Sequence, residues 1–232
     1  MDTNENWQSR EISLIGKEAV ERLKEASVLV FGVGGVGGYA VEALARAGVG
    51  RISIVDSDRF CPSNMNRQLL ADVTTLGKVK TEVAEERIKK INPECEVVCF
   101  AEYADGSNIE RIFDTARPEF VIDCIDSVGA KLCIAKTAIE RNIGIIACMG
   151  TGNKLDPSKL RVSDISKTVV CPLAKAVRLG FKKLGIKHLP VVFSDEIPVK
   201  SGQRTPASIS FVPPVAGFLL SGYVIRRLIG IE

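Results

Sequence analysis

Six side chains in the first 126 residues, Asp56, Asp58, Asn64, Arg67, Lys80 and Asp126, are of the types that hold a polyphosphate and a hard cation. Amides and cations donate to phosphate oxygens, and a carboxylate can share Mg2+ with those same oxygens. Ahead of them runs Gly32-Val33-Gly34-Gly35-Val36-Gly37-Gly38. In such a loop Gly32 suits the tight turn, Gly34 and its neighbour Gly35 a close approach to a phosphate, and Gly37 the contact of helix with strand. Asp56 follows about twenty residues later, where an acid accepts hydrogen bonds from ribose hydroxyls.

These groups need a frame. Val28–Phe31 is the pattern of a buried strand, Tyr39–Ala47 of an amphipathic helix, and Arg51–Val55 of a second strand that ends on Asp56 and Asp58. Strand, glycine loop, helix, strand and acid make a nucleotide-binding βαβ unit. Free N–H groups and the positive dipole end at the helix start supply the anion site. The loop suits NAD as well as ATP. Ser63-Asn64-Met65-Asn66-Arg67-Gln68 then sets an amide and a guanidinium three residues apart, and Lys80 stands at the next helix. A dinucleotide's phosphates are met largely by the loop, whereas a triphosphate needs those added cations. ATP is therefore expected, with Asp126 holding Mg2+.

The remaining pattern predicts a helix over Arg10–Lys24, a long polar connection over Arg59–Leu76, and a helix over Lys78–Ile91. Strands are expected at Glu96–Phe100, Phe120–Ile125 and Ile143–Met149, with helices at Ser107–Ala116, capped by Ser107, and from Ser127 to about Asn142. This alternation predicts an α/β fold with a doubly wound, mostly parallel Rossmann-like sheet and a basic C-terminal extension. Ligands of such sheets gather beyond the carboxyl ends of the strands. Asp56, Asp126 with Ser127, and the Gly150-Thr151-Gly152 turn all fall there. After residue 152 the alternation stops. Strands are expected at Leu160–Ile165, Val191–Ser194 and Ser208–Val212, with a basic helix from Pro172 to about Leu184. An apolar helix at Val215–Ile229 reads as a core or subunit-contact helix, with no stable membrane insertion. The expected divisions are a covering helix in 1–26, an ATP-binding core in 27–152, and a substrate-binding and dimerisation extension in 153–232.

Bulk properties narrow the partners. The 232 residues are 46% hydrophobic and 25% charged, and the seven cysteines form no CxxC pair. That suits reduced thiols in a cytoplasm and argues against a zinc built from two such pairs. No apolar leader opens the chain, so export is not expected. Up to position 150 there are 18 basic against 23 acidic residues, and beyond it 13 against 5, which splits the net +3 into −5 and +8. A back third of +8 favours a polyanionic partner. Lys154, Lys159, Arg161, Lys167, Lys175, Arg178, Lys182 and Lys183 are the candidate phosphate contacts.

Together GVGGVGG, IVDSD, SNMNRQ, GKVK and DCIDS resemble the ATP-binding core of the ubiquitin-activating-enzyme superfamily, over roughly residues 8 to 150. The bacterial adenylating proteins of molybdopterin and thiamine synthesis belong to it. The resemblance implies that Asp56 binds the ribose, that Asn64, Arg67 and Lys80 bind the phosphates, and that Asp126 is the magnesium ligand. Arg10-Glu11-Ile12 is similar to that family's Arg-Gln-Ile, where the arginine reaches the ATP of the neighbouring subunit. A homodimer with Arg10 acting in trans follows. The implied chemistry is adenylation of a carboxylate, with Arg10, Arg67, Lys80 and Asp126 as the catalytic set.

The C-terminal third is similar to the branch that dehydrates threonylcarbamoyladenosine in tRNA, on Gly150–Pro157, Val162–Thr168 and Pro172–Ala174. That branch often carries a longer cysteine-bearing segment before the last helix, where only Lys200–Ala207 stands here. The alternative expectation is an activating enzyme for a ubiquitin-like sulfur-carrier protein, with Cys171, read as exposed and flanked by cations, or Cys61 as the working thiol. A non-catalytic nucleotide-binding adaptor or an NAD-type reductase is the third. A sulfurtransferase-type helper protein is compatible with the first two.

Overall fold

The structure is a computed structural model and describes residues 6–200, 202 and 205–231. Residues 1–5 of the polar start, and positions 201, 203 and 204 of the short segment before the last helix, lie outside the described residues. Seven strands form one sheet in the order β3-β2-β1-β4-β5-β7-β6. They are β1 (Ser27–Phe31), β2 (Arg51–Val55), β3 (Glu96–Phe100), β4 (Phe120–Asp123), β5 (Gly144–Cys148), β6 (Leu160–Asp164) and β7 (Pro190–Ser194). All neighbours run parallel except β6, which pairs antiparallel with β7 at the edge.

Period-two side chains explain why both faces are covered. On β1, Val28 and Val30 enter one apolar cluster while Leu29 and Phe31 enter the other. On β5, Ile146 and Cys148 face the first and Ile145 and Ala147 the second. A strand with both faces buried must be apolar throughout, which is why β1 and β4 read as unbroken runs. The first face is covered by α2 (Lys17–Glu25), α3 (Gly37–Arg46), α4 (Lys80–Ile91) and α8 (Val212–Leu228), and the second by α5 (Ile109–Ala116), α6 (Val128–Glu140) and α7 (Pro172–Lys183).

Several local expectations are corrected. The helix expected over Arg10–Lys24 is two, α1 (Ser9–Ile15) and α2, broken at Gly16, whose φ is +86°. No residue of α1 is fully buried, although Ile15 packs against the first apolar cluster; the burial in this stretch lies on α2, at Val20 and Leu23. Ser107 does not cap α5; the capping position is Asn108, and Ser107 instead donates to Asp105. No strand forms at Ser208–Val212; α8 starts at Val212, and Pro213 and Pro214 sit in its first turn, where missing N–H groups cost nothing. The parallel alternation does not end at residue 152 either. β7 continues it beside β5, and only its register against β6 turns antiparallel.

Candidate functional site

The turns that follow β1, β2, β3, β4 and β5 open into one cleft of about 760 Å³. The sheet order reverses between β1 and β4, and a crevice at such a switch point is where α/β sheets bind ligands. Behind β1, Gly32 has φ +84° and turns the chain, while its neighbourhood leaves only 3.0 Å between an added Cβ and Ile125 Cγ2. Gly34, Gly35 and Val36 then line the cleft. Gly37 starts α3 so close to the turn that a Cβ there would lie 1.7 Å from the Gly32 carbonyl oxygen. The helix dipole and its free N–H groups therefore begin at the cleft wall.

Asp56 follows β2. Its Oδ2 accepts the Val33 N–H at 2.9 Å and its Oδ1 the Asp58 N–H at 2.9 Å, so the carboxylate braces the loop it faces. Lys80 is buried at the start of α4, with Nζ 2.8 Å from Asp58 Oδ2 and 3.8 Å from Asp56 Oδ1. Asn64 sits in a short 3-10 turn, where its Oδ1 accepts the Cys61 N–H at 3.2 Å. Arg67, one turn on, donates from Nη1 to the Ser63 carbonyl and to Asn66 Oδ1. Asp126 is exposed and Ser127 begins α6; both line the cleft. Thus Gly32, Gly34, Gly35, Asp56, Asp58, Asn64, Arg67, Lys80, Asp126 and Ser127 are brought together. Gly37 stands behind them, and Arg10 does not reach this cleft in its own chain.

Three contributors escaped the sequence reading. Gln68 is buried with its Oε1 unpartnered, and it borders the cleft beside Gly34. Tyr103 follows β3 and is exposed on the cleft wall. Thr205–Ser208 close the far end, fastened by Asn153, which exchanges 2.7 Å hydrogen bonds with Ala207, and by Asn66 Nδ2 donating to the Ser208 carbonyl at 3.0 Å. Gln68 adjoins Arg67 and could have been found; the other two are brought in by distant pairing alone.

The thiols reverse their expected order. Cys171 is only 4% exposed and caps α7, with its Sγ accepting from the Ala174 N–H at 3.5 Å. Cys61 is exposed, and a hydrogen bond with Ser63 holds its thiol below the ordinary value. Burial pushes Cys148, in the cleft floor, up to about 12. Iodoacetamide at neutral pH is expected to alkylate exposed Cys61 first and well before buried Cys171, since reaction follows thiolate fraction and access. Peptide mass mapping over time checks this; Cys171 modified first would contradict it.

The candidate basic face is also smaller than its residue count. Lys154 is 3% exposed, and its Nζ donates to the Glu196 carbonyl at 2.6 Å, so it drops out of the exposed set. Arg161 pairs with Asp195, and Arg178 is held by Thr168. Lys159, Lys167, Lys175, Lys182 and Lys183 stay exposed, without an ion pair among the described residues.

A doubly wound sheet with a glycine loop, an acid after β2 and a cationic phosphate end defines a Rossmann-like nucleotide-binding protein. The chain belongs to the ThiF family, whose model matches residues 8–231. It is 41% identical over 239 residues to the tRNA threonylcarbamoyladenosine dehydratase of Bacillus subtilis (strain 168), an alignment that takes in 95% of this chain and 94% of that protein. It also resembles the crystal structure of Escherichia coli tRNA N6-threonylcarbamoyladenosine dehydratase in complex with ATP, with a TM-score of 0.91 and 31% identity, covering 97% of this chain and 95% of that one. A more distant likeness is to the adenylyltransferase and sulfurtransferase UBA4 of Saccharomyces cerevisiae (strain RM11-1a), 35% identical over 65% of this chain and 34% of that protein.

Proposed function

We infer that this protein is an ATP-dependent tRNA threonylcarbamoyladenosine dehydratase. The observation that carries the reading is the gathering of Asp56, Asn64, Arg67, Lys80 and Asp126 around the glycine loop, in a chain that matches such an enzyme over nearly its whole length. The threonyl carboxylate, already ionised at neutral pH, attacks the α-phosphorus of ATP. Pyrophosphate leaves, and an acyl-adenylate remains. The carbamoyl group of the same residue then attacks the activated carbonyl, gives up a proton to solvent and expels AMP, which carries away the carboxylate oxygen and completes the dehydration. Because that attack is intramolecular, orientation supplies much of the rate and no enzyme thiol is needed. Burial of Cys171 agrees with this, and Cys171→Ala should leave AMP formation intact.

In this reading Asp56 orders the ribose, Gly34, Gly35 and Asn64 meet the phosphates, and Arg67 and Lys80 neutralise charge as pyrophosphate departs. Lys80 exchanges its contact with Asp58 for a phosphate oxygen. Asp126 fits a Mg2+ ion, because this metal is commonly held by one or two carboxylates plus substrate phosphates, and Asp126 is exposed in the cleft. Bound there, Mg2+ would neutralise phosphate charge. A homodimer supplying Arg10 in trans is supported by α1, which buries none of its residues and leaves Leu14 85% exposed. A sulfurtransferase-type helper protein remains compatible with the exposed Cys61 face. The reduced thiols favour a cytoplasmic enzyme, and no helix among the described residues is long and apolar enough to cross a membrane.

Pyrophosphate exchange into ATP tests the reading. Exchange should appear with threonylcarbamoylated tRNA and not with a small β-grasp carrier protein; the reverse, with a thioester trapped on a cysteine, would overturn it. The unpaired lysines of α7 supply a second prediction. Lys182→Ala/Lys183→Ala should raise the KM for tRNA several-fold and reduce the slope of log affinity against log salt by about 1 to 2, as two phosphate contacts are lost. Filter binding across a salt series reads the slope, and an unchanged one removes α7 from the tRNA surface.

A further inference from the structure

Two buried charges lie beneath the cleft floor and take no part in the chemistry above it. Asp123 ends β4 and Lys131 stands in the first turns of α6, and both side chains are 1% exposed. Lys131 Nζ is 3.0 Å from Asp123 Oδ2, and neither atom has another hydrogen-bond partner among the described residues. Desolvating two ions costs several kcal/mol each, and replacing such a pair with apolar groups is often neutral or stabilising. Stability alone does not account for it.

Its geometry does more. Asp123 Oδ1 accepts the Ile125 N–H at 3.2 Å, which bends residues 123–126 into a turn. The same turn is joined to β1 by the Cys124 N–H donating to the Phe31 carbonyl at 2.8 Å. It also packs against Gly32 of the glycine loop through Ile125 and the Cys124 backbone. Asp126 and Ser127 come next and line the cleft, and Ser127 caps α6 without a side-chain hydrogen bond of its own. The ion pair therefore joins the residue before this turn to the helix after it.

We propose that Asp123 and Lys131 are a positioning pair that holds the Cys124–Ser127 turn, so that the Asp126 carboxylate stays at the phosphate end of the cleft. The proposal rests on the reading of Asp126 as the metal-side ligand. Neither residue of the pair touches substrate.

The test is Asp123→Leu/Lys131→Met, which removes both charges at similar volume. The purified variant should keep its Tm within a few degrees or raise it. Its affinity for ATP with Mg2+ should fall at least tenfold, while its affinity for metal-free ATP stays within twofold. Amide hydrogen exchange at Ile125 should accelerate, and kcat for AMP formation should drop by tenfold or more. Lys131→Arg should recover most of each. A folded double variant with unaltered metal dependence, kcat and Ile125 exchange would overturn the proposal and leave the pair a structural one. Should that variant not fold, Lys131→Met decides by the same readouts, because it removes the tie to α6 and leaves the bond from the Ile125 N–H to Asp123 Oδ1 in place. Asp126→Ala is measured alongside. If it too keeps its metal dependence while Ile125 exchange still responds to Lys131→Met, which spares the Asp123 acceptor, the assignment of Asp126 has failed and the tie between the pair and the turn has not.

Discussion

Arg67→Ala and Asp126→Ala are each expected to lower AMP formation by roughly 10²–10³-fold, the scale seen when one stabiliser of developing charge is removed from a preorganised site. Fold stability should hardly change. Asp126 is exposed, and Arg67 spends its Nη1 on two local contacts within the same short turn. Substitution of an exposed residue such as Asp126 stays within about 0.5 kcal/mol of stability, and half-buried Arg67 lies outside both apolar clusters. A lost rate with an intact Tm therefore assigns the effect to chemistry. Arg67→Lys should recover part of the loss but not all, because a point charge replaces a planar fork. Single-turnover AMP release on threonylcarbamoylated tRNA measures these differences. An Asp126→Ala protein that turns over at the parent rate would remove the carboxylate from the mechanism.

Gly37→Ala is expected to be the most damaging single methyl group in the glycine loop. The added Cβ would lie 1.7 Å from the Gly32 carbonyl oxygen, 2.9 Å from its carbonyl carbon and 3.3 Å from Cys124 Cβ. The first two are backbone atoms at the tight turn, so no rotamer change can relieve the clash. Either α3 backs away from β1 or the loop opens, at an overpacking cost of about 1–3 kcal/mol. In both cases the N–H groups no longer converge, and ATP affinity should fall by at least about 100-fold, the equivalent of 2.7 kcal/mol. Gly38→Ala is the control. Its Cβ would meet only the Val33 carbonyl oxygen, at 3.5 Å, an ordinary contact. It should bind ATP as the parent does, with stability equal or slightly raised because alanine suits a helix better. Calorimetric titration and thermal melts on the pair separate the outcomes, and equal affinities in the two variants would contradict the close approach.

Much of this site could be read directly from the chain, because its logic is local. A turn that only glycine can make, a helix start and an acid at the end of the next strand all lie within 25 residues, from Gly32 to Asp56. Asn64 and Arg67 share one short turn, so their spacing alone put them side by side. The buried place of β1 was also readable, since an unbroken apolar run such as Val28–Phe31 belongs in a parallel sheet covered on both faces.

Other features depend on segments far apart in sequence, and there local reading failed. Cys171 has cations nearby in sequence and looks reactive, but α7 docks against the second apolar face and the sulfur is enclosed. Lys154 looks like one more surface cation, yet the segment after β7 folds over it, and the Glu196 carbonyl takes its ammonium. Helical spacing ran unbroken from Arg10 to Lys24, since apolar periodicity does not register the positive φ that Gly16 adopts. Nothing near residue 190 reveals that β7 lies between β5 and β6, because pairing partners are chosen over the whole chain.

By itself the amino-acid sequence determined the βαβ unit with its glycine loop, the added cations that led to the expectation of ATP, and the sign of the charge on its back third, all of which arise from residue type and short-range spacing. Only the tertiary structure decided which cations stay free, which thiol is shielded and which buried pair lies under Asp126. Burial is a sum over contacts that the chain makes with itself at long range, and no window of neighbouring residues contains that sum.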